Sequence, residues 1–392
     1  MDLSVSAKAL SGSITPPPFK SEVIRALILY AFCGVRPGSV LLPDYRLGGD
    51  INAAINAIDH AFFSKNKGEA IPVYESASLL RMLAPIMLAK RGGAEFIVSP
   101  SLYRRDIESF VQQIGCICEK TGGSIIRISG KIEPNLYEID ASRSSQLASG
   151  MLLCCALIPG LRLRICDPVS LPYIELTLQQ MRRFSVDIRQ DGDGVYSIAD
   201  EEMRLPRPPA DMRFCADGSY AANFIAANFI MTGRCDGPVT VNGEETTIRQ
   251  PDHAIYMLAV LDDFSVRDCP DLFPILAVCA LARNSKTVIR DTARLRDKES
   301  DRVEAVRCMI ASLGGSMDVF PDHAVINGCG GNLRGGEVDS FGDHRIVMAA
   351  AIASLMCQQP VVIRGAQAVN KSAVGFFNDF CSLGGTVNEL IR

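Results

Sequence analysis

The sequence predicts an α/β protein of two similar domains, each with its helices enclosed and its sheets on the outside. Three observations carry this expectation. At 392 residues the chain is longer than one hydrophobic core usually supports. A β-rich or turn segment, a small polar cluster and an apolar stretch of about three turns recur along it. Several of those stretches are apolar nearly all the way round, as helices buried on every side are.

In chain order, the clusters that open helical stretches are Lys20-Ser21, Ser76-Ala77-Ser78, Ser144-Ser145-Gln146, Asp217-Gly218-Ser219, Asp271, Lys298-Glu299-Ser300, Asp343-His344 and Lys371-Ser372. Most contain a residue type that caps helix N-termini by accepting a backbone N–H. The fully apolar helices are SQLASGMLLCCAL, AANFIAANFIM and DLFPILAVCALA. Alternating or β-branched runs at 95–98, 124–128, 161–165, 239–241, 287–290 and 360–363, each bounded by turn residues, read as strands. The polar, proline-rich stretch 207–210 suits a domain boundary, and a second crossing falls near 13–18.

Composition excludes several classes of function. Forty Lys and Arg against 44 Asp and Glu give a net charge of −4, so no broad basic face for nucleic acid is expected. The longest apolar stretches, 151–159 and 272–282, are shorter than the roughly 18–20 residues that span a bilayer, so no membrane partner is expected either. The start, MDLSVSAKAL, lacks the basic and apolar blocks of a secretory signal, which points to a cytoplasmic protein. Fourteen cysteines with no C-x-x-C spacing read as reduced, mostly buried thiols. Four histidines without ligand spacing give no reason to expect zinc.

The helix starts carry the chemistry. Lys20, Ser21 and Arg25 form one cluster of hydroxyls and cations, Ser144, Ser145 and Gln146 a second, Lys298 and Arg302 a third, Lys371 and Ser372 a fourth. Any one of these is ordinarily a cap beside a solvated charge. Repeated, they oppose the helix macrodipole, which disfavours cations in the first turn, and so call for a compensating anion such as phosphate or carboxylate. The segment 295–302 is the most informative. On a helix, Lys298 and Arg302 lie four apart and Glu299 and Arg302 three apart, so cation, carboxylate and guanidinium face one pocket.

That segment resembles the lysine-glutamate-polar-aspartate-arginine signature of the enolpyruvyl transferases known as 5-enolpyruvylshikimate-3-phosphate synthases. The stretch from Lys20 to Leu27 is similar to the family's Lys-Ser-x-x-x-Arg-Ala-Leu motif, and the stretch from Glu75 to Arg81 resembles its loop ending in arginine. Ser144-Ser145-Gln146, Ser170-Leu171-Pro172-Tyr173, Asp268-Cys269-Pro270-Asp271, Asp343-His344-Arg345 and Lys371-Ser372 follow in the family's order across nearly the whole chain.

The resemblance implies a two-domain inside-out α/β barrel built from repeated βαβαββ-type units. Residues 1–14 with 214–392 would form one domain and 15–213 the other, with the active site in the cleft. The implied reaction moves the enolpyruvyl group of phosphoenolpyruvate to the 5-hydroxyl of shikimate 3-phosphate and releases phosphate, with no metal or organic cofactor and a monomeric enzyme. Shikimate 3-phosphate would meet Ser21, Arg25, Ser144, Ser145, Gln146, Ser170, Tyr173, Asp271 and Lys298. Phosphoenolpyruvate would meet Lys20, Ala77, Arg105, Gln146, Arg302, Arg345 and Lys371, with Arg104 or neither arginine as alternatives to Arg105. Lys20, Asp271 and Glu299 would share the proton transfers, and Arg81 would brace its loop. Planar guanidinium forks suit a small ligand with a carboxylate and a phosphate.

Two positions depart from the family pattern. Phe19 stands where a small residue usually precedes the lysine, and Ala77 stands where the loop usually has glycine. A methyl group at 77 would intrude on ligands longer than phosphoenolpyruvate, so weak inhibition by glyphosate is expected. The competing readings are a UDP-N-acetylglucosamine enolpyruvyl transferase, whose loop cysteine and amide-rich start have no counterpart here, and a non-catalytic anion-binding paralogue, which would not need Lys20, Asp271 and Glu299 together.

Overall fold

The computed structural model describes residues 1–40, 46–66, 68–199 and 205–390. The chain divides into two units, one of Met1–Phe19, Arg46–Gly49 and Cys215–Arg392, the other of Lys20–Tyr45 and Asp50–Phe214. The division falls at 19/20 and 214/215, and the short return 46–49 to the first unit has no signature in the sequence.

One sheet pattern occurs four times. In the second unit, Ile71–Tyr74, Gly93–Val98, Ile125–Ser129 and Ile117–Thr121 lie side by side in that order; the first two strands are parallel and the rest antiparallel. Leu136–Asp140, Arg162–Cys166, Val195–Ile198 and Ile188–Gln190 repeat it. In the first unit, Asp263–Ser265, Lys286–Arg290, His323–Asn327 and Ser316–Val319 do the same. The fourth sheet takes Gly336–Asp339, Val361–Arg364 and Thr386–Leu390 from the C-terminal end and fills its third place with the N-terminal strand Asp2–Ser6, Leu3 pairing with Ile363 on one side and Glu389 on the other. Gly12–Ile14 and Val239–Val241 add a parallel pair. All six strands read from the sequence form.

Strand chemistry explains why the sheets bury one face. Along Ile125–Ser129, Ile126 and Ile128 are buried while Arg127 between them is exposed, the period-2 alternation of a half-covered sheet. The helices behave oppositely. Every residue of Phe273–Leu281 and of His344–Ala353 is buried, as are most of Gly218–Thr232, and these three pack on one another within the first unit. Nothing apolar in them is left for a solvent face.

In the second unit, helix Ala77–Arg91 packs on helix Gln146–Cys154, and Gly150 sets their separation. A Cβ at Gly150 would come within 2.8 Å of Pro85 Cγ and 2.9 Å of the Arg81 carbonyl oxygen, so no larger residue fits without parting the helices. Pro85, lacking an N–H, leaves that carbonyl without its usual helical donor. The contact brings the first turn of each helix beside the other. All fourteen cysteines are free thiols. Among the described residues, no helix is long and apolar enough to cross a membrane.

Candidate active site

The repeat decides where the functional side chains fall. In the first unit, Asp271 follows strand Asp263–Ser265, the segment 298–302 follows Lys286–Arg290, Asp343 and Arg345 follow Gly336–Asp339, and Lys371 follows Val361–Arg364. Each sits just beyond the C-terminal end of one of the two parallel strands of its sheet. The second unit repeats the placement with Ala77 and Arg81, Arg105, Ser144 to Gln146, and Ser170 with Tyr173.

In the first unit the side chains join in one network. Arg302, 1% exposed, donates from Nε to Asp343 Oδ2 at 3.0 Å, from Nη1 to Asp271 Oδ1 at 2.9 Å and from Nη2 to Glu299 Oε2 at 2.7 Å. Arg345 Nη2 donates to the other oxygen of Asp271 at 2.7 Å, and Lys371 Nζ to the other oxygen of Glu299 at 3.3 Å. Asp343 also caps its own helix, accepting from Arg345 N at 2.9 Å. The five sequence-predicted residues Asp271, Glu299, Arg302, Arg345 and Lys371 are thus brought together, with Lys298 close enough to act on Asp271 electrostatically.

The network shifts its members as buried charges do. Burial alone would push the Asp271 carboxyl up, but Arg345, Arg302 and Lys298 outweigh it and hold the group well below the usual carboxylate range. Burial would lower Arg302, and its three carboxylates raise it instead. Lys298 is pushed down to about 8, chiefly by burial, with Asp271 acting against the shift. Asp252, which no sequence signal marked, is raised to about 7 by burial and by Asp271, against the pull of Arg345.

Two local expectations are corrected. Lys298 and Glu299 do not lie on the helix with Arg302. A 3-10 turn ends at Asp297, Lys298 is extended, and the helix Arg302–Leu313 begins after its cap Asp301. Asp301 is the better N-cap, accepting from Glu304 N at 3.1 Å, so the Glu299–Arg302 contact is made across the helix entry. Lys371 ends the 3-10 helix Ala366–Lys371 instead of opening an α-helix; Gly375 caps the next one, Phe376–Ser382.

In the second unit, Lys20 opens helix Lys20–Phe32 and its Nζ lies 2.7 Å from Asp50 Oδ2. Arg25 is buried and, among the described residues, donates to neutral acceptors only: Thr177 Oγ1 at 2.7 Å, the Ser21 carbonyl at 2.9 Å, and Ser149 Oγ and the Tyr173 carbonyl, both at 3.2 Å. Without a carboxylate among these partners, burial pushes its pKa down to about 10. Arg81 stacks over Phe110 at 4.2 Å and donates to Gln146 Oε1 at 2.9 Å, so its brace reaches the start of helix Gln146–Cys154. Ser145 is buried at the start of the same helix, and Ser144 Oγ accepts from Gln146 N. Ser170, buried with φ 54°, opens the helix that carries Tyr173. Ala77 is the first residue of its helix and is buried. The Arg105 carbonyl takes Lys120 Nζ at 2.9 Å, while Arg104 is exposed.

Asp50, Ser149, Thr177, Ser219, Asp252 and Asp343 hold or adjoin the expected site residues without having been assigned a role in the sequence. Asp343 had a usable signal, an Asp before an apolar helix with an Arg two residues on. Ser219 is marked only as part of a helix start, and the others make contacts distant in sequence and carry no signal.

Buried guanidinium and carboxylate groups at the entries of enclosed helices, on repeated α/β units with outer sheets, define an anion-handling protein of the enolpyruvyl transferase fold. Solved structures agree on that fold. The EPSP synthase from Acinetobacter baumannii superposes with a TM-score of 0.75 at 19% identity, all of each chain being covered. The enolpyruvyl transferase NikO from Streptomyces tendae gives 0.73 at 14%, covering 100% of this chain and 99% of its own. The chain belongs to the EPSP synthase (3-phosphoshikimate 1-carboxyvinyltransferase) family, whose model matches residues 105–263 and 237–380. It is 30% identical to the 3-phosphoshikimate 1-carboxyvinyltransferase of Thermococcus kodakarensis over 94% of this chain and 96% of that one. It is 28% identical to that of Clostridium novyi over 99% and 98%.

Proposed function

We propose that this chain transfers the enolpyruvyl group of phosphoenolpyruvate to the 5-hydroxyl of shikimate 3-phosphate, giving 5-enolpyruvylshikimate 3-phosphate and phosphate. The observation that carries the reading is the Glu299 carboxylate, held by Arg302 at 2.7 Å and Lys371 at 3.3 Å. An acid–base group is thereby fixed between two cations suited to phosphoenolpyruvate.

In this reading a proton is added at the methylene carbon of phosphoenolpyruvate, the 5-hydroxyl attacks the neighbouring carbon and gives up its proton, and the tetrahedral intermediate then loses phosphate and one proton of its new methyl group, restoring the methylene. Glu299 and Lys20 serve the proton transfers at the enolpyruvyl group, and Asp271 faces the attacking hydroxyl. Arg302, Arg345, Lys371, Lys20, Gln146 and Arg105 hold phosphoenolpyruvate beside Ala77. Ser21, Arg25, Ser144, Ser145, Gln146, Ser170, Tyr173, Asp271 and Lys298 hold shikimate 3-phosphate. Arg25 supports its part physically: a buried guanidinium whose partners are all neutral gains most from a ligand carboxylate. In this reading the chain acts as a cytoplasmic monomer.

The test is phosphate release from phosphoenolpyruvate with shikimate 3-phosphate, and with UDP-N-acetylglucosamine as the competing acceptor. Release with the first acceptor only, lost in Glu299→Gln and Lys20→Ala, supports the assignment. Release with neither, or with the second alone, overturns it.

A further inference from the structure

The turn Gln250-Pro251-Asp252 is clamped onto the entry of helix Gly218–Thr232. Gln250 accepts from Gly218 N at 2.8 Å and donates to the Ala216 carbonyl at 2.7 Å. A Cβ at 218 would come within 2.8 Å of Gln250 Oε1, so a larger residue there would displace the glutamine amide from this clamp. Asp252 is 1% exposed; its Oδ2 is hydrogen-bonded to the Ser219 hydroxyl, and its Oδ1 is buried without a hydrogen-bond partner among the described residues. The Ser219 oxygen in turn accepts from Arg345 Nη2 at 3.4 Å, the same nitrogen that donates to Asp271.

A fully buried carboxyl with one bare oxygen is unfavourable when ionised. The groups that act on it most are Asp271, the N-cap Asp217, Ser219 and, opposing the rise, the cation Arg345; the thiol of Cys269 lies within its field. His253, next in the chain, faces away to Thr247 and Tyr256. Asp252 therefore depends on Arg345 for its charge, and Arg345 is the guanidinium that the proposed function gives to phosphoenolpyruvate.

Resting on that function, we propose that Asp252 is a positioning residue for Arg345, acting through Ser219, and that it takes up a proton when phosphoenolpyruvate engages Arg345. The ligand anion occupies the guanidinium that had offset the Asp252 charge and adds negative charge nearby. One carboxylate oxygen then gains a proton from the medium, forming one O–H bond and breaking no other bond in the protein. Ionised Asp252 competes with the ligand for Arg345, and neutral Asp252 does not.

The experiment compares the parent enzyme with Asp252→Asn, a permanently neutral isostere, from about pH 6 to about pH 8, one unit either side of the Asp252 midpoint. KM for phosphoenolpyruvate should rise about five- to ten-fold in the parent relative to the variant across that window, with KM for shikimate 3-phosphate and kcat changing in parallel in the two proteins. Infrared difference spectra of the parent should show a protonated carboxyl band titrating in the same window. That measurement does not depend on turnover, so it separates failure of this inference from failure of the proposed reaction. Should Asp252→Asn not fold, Ser219→Ala replaces it, since losing the hydroxyl uncouples the two groups and flattens the same profile. Matching pH profiles for KM in parent and variant, or the absence of a titrating carboxyl band, would overturn the proposal.

Discussion

Arg302→Met deletes a single charge from the most buried part of the site. Charged hydrogen bonds contribute about 1.5–3 kcal/mol each, so the three that Arg302 makes bound the loss at roughly 4.5–9 kcal/mol. Two of its partners keep another cation, Asp271 through Arg345 and Glu299 through Lys371. Asp343, with no exposed surface, is the group chiefly left behind. The expected cost is then about 3–5 kcal/mol, as for breaking one buried ion pair. Arg302→Lys should fall between, because one ammonium cannot span carboxylates aligned with Nε, Nη1 and Nη2. Urea unfolding followed by tyrosine emission suits a chain with nine tyrosines and no tryptophan, and only the transition of the unit holding Arg302 should move. A methionine variant that unfolds within about 1 kcal/mol of the parent at pH 7 would refute this account of the network.

Three further predictions follow from the same geometry. Lys298 is a base lowered to about 8, so it is cationic below that pH and neutral above it. KM for shikimate 3-phosphate should climb above about pH 8 and lose that climb in Lys298→Met, while between about 8 and 10.5 the unfolded chain binds more protons and the contribution of Lys298 to stability rises with pH. Ala77→Gly should make glyphosate inhibit at concentrations about five- to one-hundred-fold lower, the equivalent of roughly 1–3 kcal/mol of overpacking; superimposable inhibition curves would remove the idea. Asp50→Asn leaves Lys20 without its carboxylate at 2.7 Å, so kcat should fall about ten- to one-hundred-fold with little change in melting temperature, and an unchanged kcat would separate Asp50 from the chemistry.

Local pattern made the strands and enclosed helices readable, because period-2 alternation and all-round apolarity are written in consecutive residues. What stayed hidden is non-local. Asp2–Ser6 alternates like any strand, yet nothing in it says that it completes a sheet begun more than three hundred residues later. The return at 46–49 is fixed by Arg46 donating to Asp379 at 2.9 and 3.0 Å and to the Thr15 carbonyl, contacts with no local signature. In the site, the charged motif residues were legible and their register was not. Spacing places Lys298 and Glu299 one turn too far into a helix because Asp301 competes as the cap, and spacing carries no information about which of several polar residues wins. Ser219 is legible as part of a helix-opening cluster but not as a link to Arg345, and Asp252 is an ordinary polar residue until folding buries it beside them.

The repeat explains why the site can be built at all. Parallel neighbouring strands end on the same side of a sheet, so the two helix entries that follow them gather there, with unsatisfied N–H groups pointing outward. Cations placed at such entries oppose the local dipole, and the structure offsets this with carboxylates, Asp343 both capping a helix and holding Arg302. The antiparallel hairpins have no comparable end, and the residues assigned here to substrates avoid 117–129, 188–198 and 316–327 in all three sheets that carry a complete hairpin. Arg127→Ala, which breaks an exposed pair with Glu95 on one hairpin sheet, should therefore leave kcat/KM within about two-fold of the parent. A loss of ten-fold or more in steady-state assays would mean that the hairpins do more than close the sheets, and that the strand-end rule is not what locates the chemistry.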